Sequence, residues 1–168
     1  MLDRSSALAS AKPYIGNSVM VAEAPNFTLT QYAGSEKELK KTLGKIPPRA
    51  GLALEQDGRT QLRINQTQIW VIGEPIKTEA CITTPLSSSR TRIAIAGINA
   101  RAVLAKLAAI DFHVKSFTPG LFASTGIHHT PVLIHCTDEN TFHIYAMRTF
   151  GLSVWEAVTD AAFEFSDR

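Results

Sequence analysis

The stretch from Val132 to Ala146 constrains the fold more than any other, because one short-turn pairing gives it an unbroken apolar face. A loop of Asp138, Glu139 and Asn140 sets Cys136 opposite Phe142, Ile134 opposite Ile144 and Val132 opposite Ala146. Side chains alternate between faces along a strand, so a slip of one residue would carry this whole set to the other side of the sheet. A hairpin with that register is predicted, with Asn140 tolerant of a left-handed loop position. The same alternation sets His135 opposite His143 on the other face.

An earlier hairpin, Gly51 to Asn65, admits two loops. A two-residue turn at Asp57-Gly58 faces Leu52 with Arg63 and Leu54 with Gln61. A three-residue loop, Gln56-Asp57-Gly58, faces Leu52 with Leu62 and Leu54 with Thr60, and puts Gly58 at the left-handed position of a G1 bulge. The longer loop keeps one face apolar and is the expected one.

Further strands are expected over 26–32, 68–72, 91–96, 112–117 and 121–127, with Pro119-Gly120 in a type II turn. Ser35 and Glu38 form a capping box that opens a helix burying Leu39 and Leu43, closed by Gly44 and Pro47-Pro48. Asn99 reads as the N-cap of a second helix. Its apolar stripe is Ala100, Val103, Leu104 and Leu107, with Ile98 placed to staple on Val103 and with Arg101 and Lys106 outward. Phe150 to Phe165 reads as a closing helix with Leu152, Trp155, Val158, Ala162 and Phe165 on one side and Thr149 placed as its cap. The class is therefore α+β: two strand–helix–strand–strand halves with a C-terminal helix, in sheet-and-helix layers around a shared core. One domain is expected over 19–168, with lobes of about 19–84 and 85–168. It follows an N-terminal arm, 1–18, whose Ser, Ala, charge and Pro13 mark an extended segment held by contact with something else.

A chain of 168 residues buries enough surface to fold without a disulfide or metal staple. With 45% hydrophobic residues and a net charge of +2, disorder is excluded, and no apolar run is long enough for a membrane helix. Basic and acidic residues number ten and eight in the first 84 positions and seven each in the last 84. No basic stripe exists to neutralise phosphates, so nucleic acid is not an expected partner. The opening MLDRSSALASAKPY lacks the apolar core of a signal peptide. Cys81 and Cys136 form no CxxC, and a reduced, cytoplasmic protein is expected.

No phosphate-binding loop occurs: the ten glycines never form GxG, and GxSxG, HExxH and an EF-hand loop are absent. All five histidines lie between positions 113 and 143. His135 and His143, paired across a hairpin, can hold a metal with His129 or Cys136 as a third ligand. Cys136 follows His135 in the strand and points to the other face, so a polar sheet face meeting solvent or a partner is preferred over a metal site. Cys136 as a nucleophile beside His135 is disfavoured for the same reason, and a buried small side chain is the preferred role. Arg148 can grip a carboxylate or phosphate, but an interface or capping contact is preferred. Arg90 and Arg92 alternate away from Ile93 and Ile95 and are expected to be exposed or at a partner. No catalytic, cofactor-binding or metal residue is assigned.

The second half carries a specific likeness. Ser89-Arg90-Thr91-Arg92-Ile93 leads to Ala96-Gly97 and then to the run from Ala100 to Lys106. Asp111, Pro119-Gly120, the run from Pro131 to Ile134, Thr141-Phe142, Arg148-Thr149-Phe150 and Trp155 follow in order. This resembles the gamma subunits of heterotetrameric sarcosine oxidases, as does the opening run from Asp3 to Ala9. The likeness is good over about 80 residues and only outline before them. Strand, Gly97, Asn99, helix and Asp111 are also similar to the folate-binding fold of aminomethyltransferase-like proteins. The resemblance implies a non-catalytic structural subunit with alpha, beta and delta partners. Their complex demethylates sarcosine oxidatively to glycine and hydrogen peroxide, passing the one-carbon unit to tetrahydrofolate. FAD, FMN, NAD and folate are then held by alpha and beta, and zinc by delta. The chain is rather short for this group, its segment Thr125 to His129 is unusually rich in His, and Thr149 stands where the group often has Ser. Two alternatives are an independent folate-binding aminomethyltransferase-like protein and a small metal-binding module built on His135 and His143.

Overall fold

The computed structural model describes residues 5–165. In chain order the elements are β1 (Tyr14–Ile15), β2 (Met20–Glu23), β3 (Leu29–Ala33), α1 (Glu36–Leu43), β4 (Ala53–Gln56), β5 (Arg59–Arg63), β6 (Gln68–Ile72) and β7 (Ile82–Pro85). They continue with β8 (Arg90–Ala96), α2 (Ala100–Leu107), β9 (Phe122–Ile127), β10 (Thr130–Asp138), β11 (Thr141–Met147) and α3 (Gly151–Phe163), entered through a 3-10 turn at Arg148–Phe150. The chain divides into two compact units, and the division is not a single cut near residue 84. Unit 1 takes the chain up to Pro25, then Ser89–Pro119 and everything from Ala123; unit 2 takes Asn26–Ser88 and Gly120–Phe122. Each unit has its own antiparallel sheet, so the class is α+β as expected.

Unit 1 has a six-stranded sheet in the order β1-β2-β8-β11-β10-β9. The β10–β11 register is as read from the sequence: Val132 pairs with Ala146, Ile134 with Ile144, His135 with His143 and Cys136 with Phe142. Only the tip differs. A bulge between Cys136 and Asp138 pairs Asp138 with Thr141, and Asn140 is not left-handed. Arg101 of α2 lies 5.1 Å over the Phe142 ring, and α3 packs on β2, β8 and β11. The helices thus cover the face bearing Ile93, Ile95, Ile134, Phe142 and Ile144, all fully buried. Residues 5–18 are not an extended arm held from outside. Leu8 is 1% exposed, and β1 pairs with β2, which in turn pairs with β8. The first residues of the arm, 1–4, lie outside the described residues.

Three expectations for this half fail for identifiable reasons. Phe112 to Phe117 is a turn: Asp111 Oδ1 accepts from the His113 amide, and the His113 carbonyl accepts from the Ser116 and Phe117 amides. Phe112 and Phe117 both reach the core, with ring centroids 5.4 Å apart, so the apolar spacing came from a closed turn instead of a pleat. Asn99 precedes α2 but makes no side-chain cap; its Nδ2 donates to Ser18 Oγ at 3.0 Å, and Ile98 is 77% exposed, so no staple forms. Neither Thr149 nor Phe150 caps α3 through a side chain, and Leu152 is exposed.

Unit 2 has a five-stranded sheet, β4-β5-β6-β3-β7, whose β7 lies outside the sequence-predicted strands. Its capping box forms as expected, with Ser35 Oγ accepting from the Glu38 amide and Glu38 Oε2 accepting from the Ser35 amide. Leu39 and Leu43 meet Tyr32, Ile69, Val71, Ile46 and Cys81 in one core cluster. The β4–β5 register is the one the sequence disfavoured. Leu54 pairs with Gln61 across a two-residue turn in which Asp57 and Gly58 have φ of 51° and 71°. Both values suit a type I′ turn, whose twist matches that of the strands. The donors that this register turns toward the core find carbonyls there, although Gln61 Oε1 stays buried without a partner. Gln61 Nε2 donates to the Lys45 carbonyl at 3.1 Å, and Arg63 donates to the Pro47 and Pro48 carbonyls at 2.8 and 3.3 Å.

Candidate functional site

The chemistry-bearing residues of unit 1 gather on the sheet face opposite the helices. β8 supplies Arg90 and Arg92, β11 supplies His143 and Tyr145, and β10 supplies Leu133 and His135. Tyr145 stands between Leu133 and Arg92 in the ladder, and His143 between His135 and Ala94. This face is drier than expected: His135 is 4% and Tyr145 2% exposed, and Arg90 and Arg92 are half-buried. Arg92 Nε donates to the Ala24 carbonyl at 3.0 Å, which fixes its stem along β2.

Burial governs how these groups titrate. His135 is pushed down to about 4, first by burial and then by the charge of His143. His143 is likewise pushed down to about 4, by burial and then by Arg92. Both imidazoles are therefore neutral near pH 7. Tyr145 is pushed up by burial, an effect its hydrogen bond and proximity to Arg92 partly oppose, and Arg90 is pushed down by burial. The His143 and Tyr145 rings meet edge to face at 6.4 Å, while His135 Nδ1 is buried with no hydrogen-bond partner.

The pair does not complete a metal site. Among the described residues no three His, Cys, Asp or Glu side chains are grouped to hold an ion. His128 and His129 form the two-residue turn between β9 and β10, with φ of 45° and 66°, a left-handed pair without glycine. Cys136 occupies the helix-covered face at 0% exposure, and burial raises its thiol pKa above the usual range, as suits a packing residue. Arg148 is exposed and donates to the Ser5 carbonyl, a contact that pins the N-terminal segment.

Arg101, outward by helical periodicity, instead organises this unit. It donates to the carbonyls of Phe112 (2.7 Å), Phe117 (3.0 Å) and Glu139 (2.9 Å from Nε), clamping the 112–117 turn and the β10–β11 tip to α2. Unit 2 holds a cleft of about 520 Å³, lined by Glu36, Arg49, Arg63, Gln66 and Thr67 among others. Its charges are largely answered internally. Glu36 accepts from Lys40 and from Arg63 (3.0 Å), which hold its carboxyl below the usual range. Arg63 and Arg101 thus close carbonyls in their respective units, and two neutral imidazoles face each other in the sheet of unit 1.

No family model and no curated protein matches the sequence. Solved structures do match the fold. A chain of the heterotetrameric sarcosine oxidase from Corynebacterium sp. U-96, solved in complex with pyrrole 2-carboxylate, superposes with a TM-score of 0.85 at 20% identity. The match covers 98% of this chain and 97% of that one, so the two are of nearly equal length. The glycine cleavage system aminomethyltransferase T from Bartonella henselae matches with a TM-score of 0.57 at 14% identity, over 84% of this chain and 45% of that one. At these identities the likeness is one of fold, and it spans nearly the whole chain: the protein has the fold of a sarcosine oxidase subunit, which extends to part of an aminomethyltransferase.

Proposed function

We propose that this chain is a non-catalytic structural subunit of a flavin-dependent oxidase complex of the sarcosine oxidase type. The observation that carries this reading is the end-to-end fold match to one chain of a heterotetrameric oxidase of nearly equal length. The sequence supports it independently, through the ordered likeness from Ser89 to Trp155 to the gamma subunits of such complexes. The complex would oxidise the N-methyl group of sarcosine, or of another N-methylated amino acid, by two electrons that reduce O2 to hydrogen peroxide, and would pass the one-carbon unit, at the formaldehyde level, to tetrahydrofolate. Its alpha and beta subunits would hold FAD, FMN, NAD and folate, and its delta subunit zinc. This chain would hold none of them and would act in the cytoplasm.

Affinity purification of the tagged full-length chain from its native cell tests the reading. The expected product is a yellow complex of several different chains that consumes sarcosine. A monomer without flavin overturns it.

The part-length match to an aminomethyltransferase favours a second reading, an independent folate-binding protein. Titration calorimetry separates the two: micromolar binding of tetrahydrofolate by the lone chain supports the second and counts against the first.

A further inference from the structure

The outward face of α3 carries features that the core of unit 1 does not explain. Leu152, Glu156, Thr159 and Phe163 recur at spacings of four, three and four, which aligns them along one side of the helix. Leu152 is 46% and Phe163 61% exposed, although the Phe163 ring also meets Tyr14 of β1 with centroids 4.9 Å apart, and Met147 and Phe150, each 44% exposed, extend the apolar surface at the start of the helix. A groove of about 550 Å³ runs there, lined by His128, Ser153, Glu156, Thr159, Asp160 and Phe163. Eleven residues of helix put the two apolar anchors about 16 Å apart. Between them stand two exposed carboxylates, Glu156 and Asp160, neither in an ion pair among the described residues. Lys106 does not answer them, because it pairs with Glu164.

We propose that this face is the docking surface for a helix of a different chain, one that presents Lys or Arg between two apolar side chains about three turns apart. Apolar anchors at both ends give the contact its buried area, and helix-in-groove recognition reads such anchors at helical spacing. A neutral or acidic occupant would bury two unanswered carboxylates, which is strongly unfavourable; a basic one converts them into charge-assisted hydrogen bonds and excludes wrong partners. A second copy of this chain does not fit. The exposed side of α1 carries Lys37, Lys40 and Lys41 with no large apolar residue, and that of α2 carries Ala102, Ala105 and Lys106. The proposal rests on the reading of the chain as a subunit and names the surface by which it would assemble.

The test uses the full chain in its native cell. A benzophenone amino acid placed singly at Leu152 and at Ser153, with Lys37 as a control position, is photolysed in the purified assembly and the adducts are sequenced. The first two positions should link to one helical, Lys- or Arg-bearing peptide of another chain, and Lys37 should not. The Glu156→Lys/Asp160→Lys variant, checked by circular dichroism to be folded, should lose affinity for the assembly by at least about tenfold. Adducts to a second copy, to a peptide without basic residues, or to none overturn the proposal, as does an unchanged affinity of the charge-reversed variant. A flavin-bearing complex that forms regardless of that variant removes this inference alone. A chain that purifies as a lone monomer removes the functional reading as well.

Discussion

His135 on β10 faces His143 on β11 across one rung of the sheet, and burial keeps both imidazoles neutral. Each titrates near 4 when folded and near 6.5 when unfolded, so in that window the unfolded chain binds protons that the folded chain refuses. Stability is therefore full above pH 6.5, falls as the pH drops through the window and bottoms out near 4. The loss is about 3 kcal/mol from His135 and less from the more exposed His143. Urea denaturation at pH 7.5, 6 and 5 reads the upper part of this decline, where most carboxylates are still ionised. A His135→Phe variant should show a visibly shallower decline, and a flat wild-type profile across that range would refute the linkage.

Arg63 is 5% exposed and donates to two carbonyls after α1 and to Glu36. Arg63→Ala should cost about 2–4 kcal/mol, because the Pro47 carbonyl then stays buried without a donor. Arg63→Lys should recover only a minor part, since one ammonium cannot span the three acceptors of the guanidinium. Equilibrium denaturation of the two variants decides; full rescue by lysine would mean that charge alone matters there.

Gly97 lies between β8 and α2 with φ of 126°. A Cβ there would run into the Ser18 carbonyl and stand 2.9 Å from Val19 Cα. Both obstacles are backbone, so neither can rotate away. Gly97→Ala should destabilise the protein by about 2–4 kcal/mol, read as a lower urea midpoint. Gly58→Ala, at φ of 71° with nothing within 4 Å of the added Cβ, should cost only about 1–2 kcal/mol. Equal costs at the two sites would mean that the contact with residues 18–19 carries no weight.

Cys81 and Cys136 are free thiols at 9% and 0% exposure. A disulfide-exchange reagent such as Ellman's should react with neither at pH 7.5 in buffer and with both in guanidinium. Fast labelling of Cys136 in the native protein would contradict the raised thiol pKa that burial gives it.

Legibility in the sequence followed how each segment meets its polar groups. The β10–β11 register could be read because both partners of every inward pair are apolar: Val132 and Ala146, Ile134 and Ile144, Cys136 and Phe142. The α1 cap could be read because Ser35 and Glu38 satisfy each other locally. The β4–β5 register could not, since Gln61 and Arg63 look like surface residues until the carbonyls of 43–48, which they close, are known. Arg101 misled for the same reason: its partners, Phe112, Phe117 and Glu139, lie up to 38 residues away. The candidate site was legible in part. The facing of His135 and His143 followed from alternation, whereas their dryness depends on packing that no local pattern encodes.

The route of the chain through its two sheets sets an order of assembly. β2 cannot find its place until β8 exists, and between them the chain spells nearly all of unit 2. During synthesis, residues 20–23 have only β1 to pair with while the β4–β5 and β5–β6 hairpins, of low contact order, form in unit 2. Unit 2 is then closed by a late stitch, the bridge of Leu52 to Leu121. A nascent chain released near residue 90 would thus display the β8-facing edge of β2 without its partner. Pulse-labelled hydrogen exchange should protect the amides of β5 and β6 before those of β2 and β8.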